Sequence, residues 1–98
     1  MANNIVEQFE EFYSRWKLLD KAGKDLQLGN MMQKVYTLYQ FLMRSYGKKG
    51  YLTQEEANKV QQIKHVYLDL QNQKTQIDND FWNEMMKQFA KMIVKRSY

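Results

Sequence analysis

The side chains able to do chemistry are few, and they do not converge. The chain holds a single histidine, His65, and no cysteine. Thiolate nucleophiles, disulfides and cysteine-ligated metal sites are thereby excluded. Counted from Ile63, His65 falls roughly opposite the apolar stripe of its helix, so it is expected to be exposed and ordinary. Glu7, Glu10 and Glu11 form a solvent-facing acidic patch. Nothing near them in sequence would raise a pKa into the range a general acid needs. Asp78-Asn79-Asp80 begins like a calcium loop, but neither the glycine nor the terminal glutamate follows at the required spacing. There is no Glu-x-x-His pair, phosphate loop or dinucleotide fingerprint. Ser14, Ser45 and Ser97 have no histidine close to them in sequence. This inventory reads as a non-enzymatic protein with no cofactor and no resident metal.

The remaining reactive character is positive charge beside tyrosine. Arg44, Lys48 and Lys49 surround a glycine-containing turn flanked by Tyr46 and Tyr51. Segment 26–52 carries four basic residues and no acidic one, which equals the net charge of +4 for the whole chain. Such a cluster can attract phosphates through ion release and stacking. It is equally what a helix C-terminus requires, where cations offset the dipole and glycine ends the helix. A second basic feature lies near the C-terminal end. Lys87, Lys91 and Lys95 recur every four residues on one side of a helix whose opposite end bears Asp78, Asp80 and Glu84. That gradient also follows from dipole compensation alone.

The elements that must position these groups are helices. Apolar residues recur at helical spacing in four sets: Ile5, Phe9, Phe12, Trp16, Leu19; Leu28, Met31, Val35, Leu38, Leu42; Val60, Ile63, Tyr67, Leu70; and Trp82, Met85 or Met86, Phe89, Met92, Ile93. Nothing alternates with the period of a strand. Cap signals stand at Asn4, at Asp25 or Asn30, at Thr53 with Glu56 three residues on, and at Asp78 or Asp80. Gly23 and Gly47 are placed to end the first two helices in the left-handed conformation. Proline is absent. These signals predict helices near 4–22, 26–46, 54–74 and 79–97, packed as one all-α domain over 1–98, an antiparallel four-helix bundle. The alternative is a long helical hairpin in which helices three and four are continuous, because no glycine or proline interrupts 73–77. Met32, Tyr36, Tyr39, Met43 and Tyr46 form a second band on the second helix. It reads as core and rim packing with hydroxyls reaching water, in preference to a stacking platform for bases.

One apolar residue on each projected helix points away from its stripe: Leu18, Phe41, Leu68 and Val94. In a chain with seven methionines and seven tyrosines, these suggest more apolar surface than a small bundle hides, covered by a protein partner or a second copy. Leu52-Thr53-Gln54-Glu55-Glu56-Ala57 resembles the opening of phage-repressor-type DNA-binding helices. That resemblance covers six residues and implies a helix-turn-helix. The run 59–66 nevertheless continues helically, where such a motif turns into its recognition helix. Size, basic character and missing chemistry are compatible with bacteriocin immunity proteins or small phage-encoded inhibitors. The expected function is stoichiometric docking on a larger macromolecule, with direct nucleic-acid binding through Arg44, Lys48, Lys49, Tyr51, Lys87, Lys91 and Lys95 as the alternative. The longest nearly apolar run, 36–43, is far shorter than the ~20 residues a membrane-spanning helix needs. Together with the absence of cysteine and of a visible signal peptide, this predicts a cytoplasmic protein.

Overall fold

The computed structural model describes residues 4–95. The fold is all-α, with five helices among the described residues: α1 (Asn4–Trp16), α2 (Lys21–Leu26), α3 (Leu28–Lys49), α4 (Gln54–Asn72) and α5 (Asn79–Ala90). Helices three and four of the sequence reading are separate, as α4 and α5. The chain divides into two compact units, Met1–Phe41 and Leu42–Tyr98, with the division falling inside α3. The first unit is electrically balanced, with five acidic and five basic residues. The second has ten basic residues against six acidic ones and so carries the whole net charge of +4.

In the first unit the expected stripes are met in part: Tyr13, outside its stripe, is buried, whereas Ile5, Phe12, Leu19 and Leu28 are half-buried. Phe9, Tyr13 and Trp16 are the buried residues of α1, and Met31, Val35 and Leu38 those of the first part of α3. Phe9 and Tyr13 stack with ring centroids 5.9 Å apart, one helical turn from each other. The single helix expected over 4–22 is broken. Leu18 N–H donates to Arg15 O and Leu19 N–H to Trp16 O, a tightened turn that ends α1. Asp20 then caps α2, its carboxylate accepting from Gly23 N–H at 2.8 Å. A short acidic side chain that can satisfy a free N–H competes with helix continuation, and here it wins. Gly23 therefore lies inside α2 and does not end a helix. A Cβ there would stand 3.2 Å from the Asp20 carboxylate and 3.3 Å from Leu19, so the closeness of the cap explains the glycine. The second helix starts at Leu28, neither at Asp25 nor at Asn30, because α2 feeds into it directly through Gln27. Asp25 pairs with Lys21 at 3.1 Å, and Asn30 donates to the Gln27 side chain. Asn4, expected as a cap, is the first residue of α1; Arg96 and Ser97 lie outside the described residues.

In the second unit α4 buries Val60, Ile63, Val66 and Leu70, and α5 buries Trp82, Met85 and Phe89. Lys59 is also buried. Burial of each large apolar side chain contributes about 1.5–3 kcal/mol. The Tyr67 and Trp82 rings stack 5.0 Å apart, joining α4 to α5. Three boundaries differ from expectation. The helix expected to stop near 46 runs through Gly47 to Lys49, and the left-handed residue is Gly50, at φ 79°. The helix expected to reach 74 stops at Asn72. Lys74 takes the left-handed conformation (φ 58°), Lys74 N–H donates to Gln71 O, and Thr75 N–H donates to Leu70 O at 3.0 Å. This pair of bonds is the Schellman closure, made here without glycine. The last helix, expected over 79–97, starts after the Asp78 cap and ends at Ala90. Ile93, expected in its buried stripe, is instead 64% exposed. The chain leaves the helix because residues 93–95 extend and pair with Leu52, a parallel bridge between Leu52 and Val94. Leu52 is buried, and this pairing satisfies both its backbone groups.

Candidate binding surface at the elbow and tail

The connection from α3 to α4 is built around Glu56. Its Oε2 accepts from Ser45 Oγ at 2.5 Å. Its Oε1 accepts from Lys49 Nζ at 2.8 Å and from Thr53 N–H at 2.9 Å. In return Glu56 N–H donates to Thr53 Oγ1 at 3.2 Å, which completes a capping box. Burial pushes the Glu56 carboxyl up. Donation from Lys49, Ser45 and Thr53, together with the Lys49 charge, outweighs burial and holds it below its ordinary value. Thus the basic, glycine-containing stretch 44–56 is a corner clamped between two helices, and Lys49 is held in an ion pair within it.

Extended residues follow α5 and close against this corner. Leu52 N–H donates to Ile93 O at 2.8 Å, and Lys95 N–H donates to Leu52 O at 2.8 Å. Ile93 N–H donates to the Tyr46 hydroxyl at 3.3 Å. The result brings two of the basic features together. Lys49 Nζ lies 5.3 Å and Lys95 Nζ 5.1 Å from the centroid of the half-buried Tyr51 ring, both within cation–π range. Ile93 and Val94, 64% and 41% exposed, stand next to this cationic pair.

The other residues singled out from sequence are distributed differently. Arg44 and Lys48 are exposed on the last turns of α3. Lys91 is the C-cap of α5. Lys87 lines a shallow open groove with Asp80, Asn83, Glu84, Met86 and Ala90, so acidic groups face it. The regular lysine stripe expected at 87, 91 and 95 is therefore interrupted: α5 ends before Lys91, and only Lys95 reaches the elbow. Among the four apolar residues, Leu18, Leu68 and Val94 are exposed and Phe41 is half-buried. In the tyrosine band, Met32, Tyr39, Met43 and Tyr46 are half-buried and Tyr36 is exposed, its hydroxyl accepting from Gln40 at 2.9 Å.

Periodicity missed Ile93 and Leu26, the latter 83% exposed. Ile93 fits a helical stripe that ends too early, and Leu26 ends a helix of only six residues. His65 is exposed on α4. Among the described residues, no three His, Cys, Asp or Glu side chains gather as metal ligands. No helix among them is long and apolar enough to cross a membrane. Comparison with protein-family models, with curated proteins and with solved structures gave no match.

Proposed function

We propose that this is a non-enzymatic binding protein that docks stoichiometrically on an acidic region of a larger protein through the elbow and tail of the second unit. The observation that carries this reading is the exposure of Ile93 and Val94 on a backbone pinned to Leu52, beside the Lys49–Tyr51–Lys95 cluster. A fixed apolar centre with charge at its rim suits a protein interface. The rim charge supplies orientation and association rate, and the apolar centre supplies residence time. An inhibitor, immunity or adaptor role fits a chain of this size. The test is capture from the native host followed by reconstitution with the purified partner. Ile93→Asp is expected to abolish the one-to-one complex, and Lys95→Glu to slow its formation in a salt-dependent way. A complex indifferent to both substitutions would overturn the proposal.

Direct nucleic-acid binding has one observation in its favour, the two ammonium groups on the Tyr51 ring. That reading predicts binding of a labelled single-stranded oligonucleotide that collapses with salt and is lost in Lys48→Glu/Lys95→Glu. Lys49 is a poor choice for that test, because its removal also disturbs the Glu56 corner.

A further inference from the structure

We propose that the partner is gripped by strand addition: an acidic, extended peptide segment pairs with the outer edge of residues 93–95. This inference rests on the docking reading above and names the form of the docked segment. In an extended chain the backbone groups of successive residues face opposite edges. The bonds to Leu52 fix which edge each residue uses. Leu52 N–H donates to Ile93 O, and Lys95 N–H donates to Leu52 O, so Ile93 and Lys95 turn their groups towards the elbow. Ile93 N–H agrees, since it donates to the hydroxyl of Tyr46, another elbow residue. Val94, between them, directs its own N–H and C=O to the opposite edge. Among the described residues nothing bonds to either group, and Val94 is 41% exposed.

An edge that offers a donor and an acceptor on one residue is complementary to another polypeptide backbone, and an extended peptide satisfies both. A phosphate could accept from the Val94 N–H but has no donor for its C=O, so the edge favours a peptide over a nucleic acid. Side chains set the composition of that peptide. In an extended segment Ile93 and Lys95 share one face and Val94 takes the other. All three are exposed. Lys49 answers to Glu56, whereas Lys95 has no acidic partner among the described residues. An incoming strand therefore meets one unpaired ammonium group amid apolar side chains, which suits alternating acidic and apolar residues. Charge also selects against a second copy in this place. The unit that holds the edge has ten basic residues against six acidic ones, so two such edges repel.

The probe is a short synthetic peptide of alternating glutamate and valine, titrated into the isotope-labelled protein while amide exchange is followed residue by residue. At saturation the Val94 amide is expected to exchange about tenfold or more slowly, with little change at the Leu52 and Lys95 amides, which are already bonded. Val94→Pro deletes the outward N–H and leaves both bonds to Leu52 in place. It is expected to weaken peptide binding about threefold to tenfold, the worth of one hydrogen bond. Val94→Thr keeps the N–H and should bind nearly as well as wild type. If Val94→Pro loses protection at Leu52, its tail is no longer pinned, and the Val94 exchange of the wild type decides alone. No binding at millimolar peptide overturns the proposal. So does a complex in which Val94 exchanges as fast as before, equal binding by a peptide methylated on its backbone nitrogens, or Val94 protection that grows with protein concentration without peptide. If the peptide fails while Ile93→Asp still breaks the reconstituted complex, strand addition falls and the docking reading stands. A complex indifferent to both Ile93→Asp and Lys95→Glu removes the docking reading and this inference with it.

Discussion

Replacing Glu56 with alanine removes three hydrogen bonds at one stroke, and the structure indicates how much each matters. The lost bond to Thr53 N–H leaves an orphan donor at the start of α4, and disruption of the capping box there costs about 1 kcal/mol. Ser45 Oγ, half-buried, loses a charged acceptor, which costs about 1–2 kcal/mol after partial rehydration. Lys49 is 32% exposed along its side chain, so water replaces much of its ion pair and the loss is roughly 0.5 kcal/mol. The expected total is about 2–4 kcal/mol, enough to lower the melting temperature of a chain this size by roughly 10–25 °C. Lys49→Ala should cost less than a third of that, because the other two donors keep their acceptor. Glu56→Gln should fall between the two, since one carbonyl oxygen still serves Thr53. Acidification acts on the same group. Because folding lowers the Glu56 pKa, its contribution is fully present above the unfolded carboxyl value of about 4.3 and is lost as pH falls through the lower folded value. The stability gap between wild type and Glu56→Gln should therefore close on acidification below pH ~4. Urea unfolding followed by circular dichroism at neutral and acidic pH measures both effects. A Glu56→Ala variant within 0.5 kcal/mol of wild type (roughly the scatter of inert surface substitutions), or a loss no larger than that of Lys49→Ala, would refute this account of the corner.

Two further expectations concern the left-handed residues and the tail. Lys74→Gly should raise stability by about 0.5–1 kcal/mol, because the Schellman position at φ 58° strains a side chain-bearing residue; Gly50→Ala, at φ 79°, should lower it by about 1 kcal/mol. Denaturant midpoints for the two variants must move in opposite directions. Lys95→Pro deletes the N–H that donates to Leu52 O and should loosen the tail. Hydrogen exchange at the Leu52 amide, which donates to Ile93 O, should accelerate by about tenfold or more, with little change at Ile63 in the interior of α4.

What the sequence made legible was local. The stripes Val60, Ile63, Leu70 and Trp82, Met85, Phe89 predict the burial observed, since spacing alone decides which face of a helix is apolar. The Thr53–Glu56 box was legible for the same reason, both partners lying within one turn. The failures came where two local rules competed or a distant partner decided. Asp20 broke a pattern that read as helical through residue 22. Gly47 looked like a terminator, yet the following turn is anchored through Lys49 to Glu56, and the chain waits for Gly50. Lys74 closes a helix in a conformation that composition assigns to glycine. For the surface, Lys49, Tyr51 and Lys95 were identifiable by type. Their meeting was not, because it requires the tail to abandon α5 and satisfy the backbone of Leu52. Helical projection past Ala90 consequently placed Ile93 inside when it is outside.

The shared carboxylate at the corner also governs how the molecule breathes. Ser45 and Lys49 belong to the closing turns of α3, and Thr53 to the opening of α4, yet all three answer to one side chain. Neither helix end can unwind by itself without surrendering contacts that secure the other. Fraying, ordinarily an independent event at each terminus, is thereby merged into a single opening, and the lysines and Tyr51 of the elbow keep or lose their arrangement together.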